Sequence, residues 1–257
     1  MKVFANDAAS WAAGADRNQM KYPRLIACLL AVAVSGLLSP VASSATDEDG
    51  VAVAIIYDTS GSMRETVKDA NGKPTPKYVI ANRALSDMAR QIQTFSTNTT
   101  GAARKVQAGV FIFDRETAKE AVKFGPFDEQ AIENWARQFS SPSGNTPLGN
   151  ALTVASRAVL DSPLNRKHIL VITDGINTAG PTPATVWPKL KKRAEGKGTS
   201  LSAHFVAFDV DAKVFDQIKQ QGVTVVGAAD EKQLDSQLQF IMQKKILLED
   251  EEPAKKP

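Results

Sequence analysis

The sequence predicts an α/β fold: a mostly parallel central sheet with helices on both faces and a short antiparallel edge strand. Three observations carry this. Val51-Ala-Val-Ala-Ile-Ile-Tyr57 and Ile169-Leu-Val-Ile-Thr173 are continuous apolar runs of strand length, as expected of strands covered on both faces. Segments of helical apolar spacing alternate with such runs along the chain, which implies right-handed crossovers and parallel pairing. No internal repeat and no second core is visible, so one domain is expected over residues 48–248.

In chain order, the first buried strand (51–57) is followed by a polar stretch, 64–77, with Asn71-Gly72, Pro74 and Pro76, which reads as an exposed loop. Residues 78–95 place Val79, Ile80, Leu85, Met88, Ala89 and Ile92 at helical spacing. Residues 106–113 are the next strand, and 118–124 return beside it as an edge hairpin. A helix fits 128–138 with Asp128 as its cap, and another fits 147–160. After the buried strand 169–173 come a helix at 185–195, a strand at 201–208, a short helix at 212–220, a strand at 223–226 and a last helix at 231–246. The tail 249–257 mixes acids, lysines and prolines with nothing to bury, and is expected to be disordered.

The N-terminus carries a different signal. Residues 25–38 form a 14-residue apolar run preceded by Lys21 and Arg24 and followed by Val41-Ala-Ser-Ser-Ala45. This is the three-part secretory pattern, with cleavage expected after Ala45. The run is short for a bilayer span of about 20 residues, so an inner-membrane anchor is the second reading. Met20 makes a better start than Met1, because residues 1–19 are polar and mixed. Cys28, the single cysteine, lies inside the apolar run. The exported protein, periplasmic or secreted, would therefore hold no disulfide.

The chain carries 31 basic and 28 acidic residues. Residues 1–45 hold four of the basic and two of the acidic ones, which leaves the body near neutrality. Nothing in that balance favours nucleic acid or an anionic membrane as partner; a membrane enters only if the N-terminal segment is uncleaved.

In an open parallel sheet, ligands sit beyond the carboxyl ends of the strands. Asp58-Thr-Ser-Gly-Ser62 follows the first buried strand, and Asp174-Gly175 follows the strand 169–173. Ser143-Gly-Asn-Thr146-Pro147 lies in a turn-rich loop that opens a helix. Three loops thus offer hard oxygen donors: Asp58, Ser60, Ser62, Thr146 and Asp174. Such a set suits Mg²⁺, which takes six oxygens and accepts one or two carboxylates. Without Cys or His nearby, zinc, copper and iron are poorly served.

An apolar strand, Asp-x-Ser-x-Ser, a later Gly-x-Thr-Pro-Leu-x-x-Ala-Leu and an apolar strand ending Thr-Asp-Gly together resemble the von Willebrand factor A (VWA) family, over about 200 residues. The resemblance implies a Rossmann-like VWA fold with a metal-ion-dependent adhesion site (MIDAS). There Ser60 and Ser62 would ligate the metal, Thr146 would do so directly or through water, and Asp58 and Asp174 would contact it or hold its waters. Mg²⁺ is the expected ion, with Mn²⁺ or Ca²⁺ as alternatives. A protein partner's Asp or Glu would complete the shell.

Other readings compete. Ser60 or Ser62 could cap a helix, Asp174-Gly175 could be an ordinary turn, and Thr146-Pro147 could be a cap. His168 and His204 read as structural, Trp135 and Trp187 as packing residues, and Lys189, Lys191, Lys192 and Arg193 as a solvated helix face. The 64–77 loop is either a tolerated insertion or a selector of partners. An enzyme is not expected. Ser60 breaks the aspartic-protease Asp-Thr-Gly and stands where a haloacid-dehalogenase phosphatase needs an Asp, and Gly-x-Ser-x-Gly is absent. The alternative to an exported binding protein is an accessory subunit of a chelatase-like ATPase or stress-resistance assembly, although the chain has no phosphate-binding Gly-x-x-x-x-Gly-Lys loop of its own.

Overall fold

The computed structural model describes residues 48–97 and 104–248. The expected export segment, the expected cleavage after Ala45 and the charged tail 249–257 lie outside the described residues. Among the described residues no helix is long and apolar enough to cross a membrane.

Six strands form the main sheet in the order β5-β4-β1-β6-β7-β8: β1 (Glu48–Tyr57), β4 (Lys105–Asp114), β5 (Thr117–Pro126), β6 (Leu164–Thr173), β7 (Ser202–Phe208) and β8 (Thr224–Ala228). All neighbours pair parallel except the edge strand β5, which runs antiparallel to β4. The expected fold class holds. Residues 51–57 of β1 alternate faces, and both faces are buried. Val51, Val53, Ile55 and Tyr57 pack with α1 (Lys77–Thr97), α2 (Glu129–Gln138) and α6 (Glu231–Ile241). Ala52, Ala54 and Ile56 pack with α3 (Leu148–Asp161), α4 (Pro183–Gly196) and α5 (Asp216–Lys219). Small residues on the second face let α3 approach the sheet closely.

Local chemistry sets the helix ends. Asp128, as expected, accepts the Ala131 N–H at the start of α2. Thr182 and Asp230 do the same for Thr185 and Gln233. Pro188 sits inside α4, where it has no N–H for the Ala184 carbonyl; that carbonyl instead accepts from Gln221 Nε2 at 3.1 Å. The lysine-rich face of α4 is exposed, while Trp187 is 2% exposed. Trp135 stacks on Phe139 and meets Tyr57 edge-on.

Residues 64–77 are not an open loop. A 3-10 turn (Gly61–Arg64) leads into a hairpin of β2 (Thr66–Lys68) and β3 (Pro74–Pro76). Asp69 organises its tip by accepting from the Asn71 and Lys73 N–H groups. The last helix also differs from expectation, because α6 ends at Ile241 and continues as a π-helical turn, Met242–Leu247.

His168 and His204 meet across β6 and β7, with Nδ1 and Nε2 3.3 Å apart and rings stacked. Burial, then His204, then Arg166 holds His168 down to about 3, and burial followed by Lys245 holds His204 to about 4. Both fall below the ordinary value near 6.5, so the unfolded chain binds protons that the folded chain refuses. Stability is therefore full above pH 6.5 and drains as pH falls toward 4, by about 2 kcal/mol per histidine between pH 6.5 and 5. Urea melts at pH 7 and pH 5 should show this loss, and His168→Leu/His204→Leu should lack it. An equal loss in the double variant would mean that other groups titrate.

Candidate metal centre

The chain leaves β1 for α1 on one face of the sheet and leaves β6 for α4 on the other. The loops after these adjacent strands therefore diverge, and the crevice between them is where an open parallel sheet offers a ligand site. Asp58 and Asp174 stand on its two sides.

Asp58 is fully buried. Its Oδ1 accepts the Ser60 N–H at 2.7 Å, and its Oδ2 accepts the Thr173 hydroxyl at 2.6 Å. The Ser60 and Ser62 hydroxyls are 3.1 Å apart, and Ser62 donates to Asp174 Oδ1 at 2.8 Å. A Cβ added at Gly175 would lie 3.7 Å from Thr146 Oγ1 and 3.9 Å from Ser62 Oγ, so these two hydroxyls frame a small open space. Asp58, Ser60, Ser62 and Asp174 thus form one hydrogen-bonded cluster, with Thr146 at its rim.

The competing local readings fare differently. Ser60 precedes the 3-10 turn but makes no side-chain cap bond. Pro147 takes the cap position of α3, again with no side-chain cap bond, so Thr146 is not a cap. Asn177 reaches over from the loop after β6 instead, and its Oδ1 accepts the Gly149 N–H at 3.2 Å. The Pro181 carbonyl packs against Gly149 so closely that a Cβ there would lie 2.0 Å from its oxygen. Thr178 Oγ1 accepts the Thr146 N–H, and the Thr178 N–H returns to the Thr146 carbonyl. The Ser143 N–H donates to the Thr59 carbonyl, and Gly61 donates to the carbonyl of Gly144. Thr59 Oγ1 accepts from Phe113 at the end of β4. The three loops are stitched to one another and to the sheet edge.

The electrostatics are those of two carboxylates sharing one buried site. Burial, and then the neighbouring Asp174, raises Asp58 from 3.8 to about 6, against the opposing hydrogen bonds from Ser60 and Thr173. Two carboxylates held together out of water repel each other, and a neighbouring positive charge relieves them. Lys77 supplies one, at 3.1 Å from Asp174 Oδ2. Burial pulls the lysine's pKa down, but Glu65, Asp209 and Asp174 outweigh it and the net shift is upward. In the sequence Lys77 is only the last residue of the polar 64–77 stretch.

No group of three His, Cys, Asp or Glu forms a metal cluster among the described residues. The oxygen set here is two carboxylates with hydroxyls, a mixture of the kind that Mg²⁺ accepts. A groove of about 850 Å³ between α1 and α6 shares no residue with this cluster.

Residues 53–177 match the family model of the von Willebrand factor type A domain. No curated protein matches the chain. Among solved structures, a minor pilin from Streptococcus sanguinis is 16% identical with a TM-score of 0.57, over 76% of this chain and 61% of that one. This chain thus spans about three fifths of the pilin's length. An aerotolerance-related membrane protein from Bacteroides fragilis is 17% identical with a TM-score of 0.53, over 76% and 98%. Proximal thread matrix protein 1 from the mussel byssus, described with a zinc-occupied MIDAS motif, is 15% identical with a TM-score of 0.52, over 76% and 48%. At these identities the likeness is one of fold.

Proposed function

The chain carries a von Willebrand factor type A domain, and from that premise we propose that it is an exported, non-enzymatic binding protein that grips a protein partner through a divalent cation. Ser60, Ser62 and Thr146 would ligate the ion directly or through water, and Asp58 and Asp174 would contact it or hold its waters, with Mg²⁺ first and Mn²⁺ or Ca²⁺ as alternatives. The observation that carries this reading is the buried, like-charged Asp58–Asp174 pair bridged through serine hydroxyls. An arrangement that costs stability on its own is explained by the cation it would bind.

Each residue then has a task. The Ser60 and Ser62 hydroxyls supply neutral oxygens, which leave the ion's charge unspent. Asp58, locked by Thr173 and the Ser60 N–H, fixes the loop that presents them. Thr146, anchored by Thr178, closes the side facing α3. A cation bound here would supply a Lewis-acidic centre to which an external carboxylate could bind. The Ser62 hydroxyl is turned onto the Asp174 carboxylate within the cluster, and holding an ion is the chemistry we assign to that arrangement.

The partner is sought with the purified protein immobilised and an envelope extract passed over it in Mg²⁺ or in EDTA. A partner retained in Mg²⁺, released by EDTA and absent from an Asp58→Ala column is the expected result. Retention that is indifferent to EDTA and to Asp58→Ala would sink the metal-bridged reading. Zn²⁺ belongs among the ions tried, since the byssus protein is described with it.

A further inference from the structure

Lys77 opens α1 directly after the β2–β3 hairpin, and its side chain is 2% exposed. A lysine at a helix N-terminus opposes the helix dipole, so helix chemistry does not explain it. Its contacts do: Glu65 Oε2 at 2.9 Å, Asp209 Oδ2 at 2.9 Å and Asp174 Oδ2 at 3.1 Å. Asp209 is held at the end of β7 in the left-handed region, with φ of 54°. Glu65 and Asp209 have side chains 68% and 41% exposed, whereas that of Asp174 is fully buried. Asp174 is therefore the partner for which water cannot substitute.

Both oxygens of Asp174 are engaged, one by Ser62 inside the cluster and the other by Lys77 from outside. We propose that Lys77 is a positioning residue that keeps Asp174 out of direct coordination and lowers the site's affinity for a bare cation, so that tight binding requires a partner's carboxylate. This rests on the metal reading of the Asp58–Asp174 cluster. The charges explain why. Two buried carboxylates alone would neutralise a divalent ion and leave no preference for an acidic ligand. With the ammonium against one of them, and its other partners Glu65 and Asp209 open to water, the buried part of the loaded site keeps about one positive charge, which an incoming Asp or Glu cancels.

The test is Mn²⁺ binding to the full chain, read from the spin-resonance signal of the free ion. Wild type should bind weakly. Lys77→Met should bind at least about tenfold more tightly, as expected from removing a unit charge a few ångströms from the ion in a partly buried site. Lys77→Arg should stay within about twofold of wild type, because it keeps the charge. A gain in affinity is a result that structural damage does not produce. Asp209→Asn strips Lys77 of one exposed partner and leaves the helix intact, so it should weaken Mn²⁺ binding about threefold and decides the matter if Lys77→Met does not fold. Equal or weaker binding by Lys77→Met, or for an unfolded Lys77→Met no weakening by Asp209→Asn, overturns the role of Lys77 while leaving the metal site standing. Wild type that binds no Mn²⁺ at all, indistinguishable from Asp58→Ala, overturns the metal reading and this inference with it.

Discussion

Mg²⁺ or Mn²⁺ at about a hundred times its dissociation constant should raise the melting temperature by about 5–10 °C, and EDTA should reverse the rise. A ligand that binds only the folded chain adds about 2.7 kcal/mol at that saturation, and a domain of about 200 residues gains about 2–4 °C per kcal/mol. Because Ser60 and Ser62 lie on one turn and Asp174 on another strand end, the unfolded chain has no comparable site. Asp58→Ala and Ser60→Ala should each abolish the rise, and Thr146→Ala should reduce it. A shift that survives both of the first two substitutions would place the ion elsewhere. Scanning calorimetry in matched buffers measures this directly.

In EDTA, Asp58→Asn should be more stable than wild type by about 2–3 kcal/mol at pH 7, although it no longer responds to metal. The folded carboxyl titrates near 6 and the unfolded one near 3.8, chiefly because of burial and then Asp174. A group whose folded value is raised contributes its full stability below pH 3.8 and loses it as pH rises through 6. At neutral pH the metal-free protein therefore carries a destabilising buried charge, and the amide removes it. The Thr173 hydroxyl, which also lies 3.2 Å from the Gly175 carbonyl, can accept from the new amide nitrogen. Denaturant melts at pH 4 and pH 7 check the sign. The advantage of Asn should shrink at pH 4, and an Asn variant less stable than wild type at pH 7 would show that the carboxylate is compensated without metal.

The strand cores were legible in the sequence because parallel strands covered on both faces carry unbroken apolar runs, as β1 does. Asp58, Ser60, Ser62 and Asp174 could be placed because each directly follows such a run. The residues that hold them could not. Thr173 meets Asp58 across 115 positions, and Lys77 meets Asp174 across 97. These pairs exist only because β1 and β6 are neighbours, which no local pattern encodes. His168 and His204 read as structural, but their pairing was hidden for the same reason. Register puts Ser202 opposite His168 and so sets His204 two residues further along the same face. The 64–77 segment was misread because Pro74 and Pro76, usual marks of irregular chain, here sit in the second strand of a two-stranded ribbon, at an edge that tolerates them.

That ribbon divides one short segment into two mechanical regimes. At its base, Glu65 and Lys77 are bound to each other through backbone and side chain, 2.8 and 2.9 Å, and so to Asp174. One residue before the tip, the Ala70 N–H is tethered to Glu231 at 2.6 Å, and Glu231 is itself fixed by Arg83. Beyond these two anchors only Asn71, Gly72 and Lys73 project, and a Cβ added at Gly72 would meet nothing within 4 Å. Changes of length or composition at that apex are thereby insulated from the serines and carboxylates a few residues upstream. The surface beside the cluster can diversify while the cluster itself stays still.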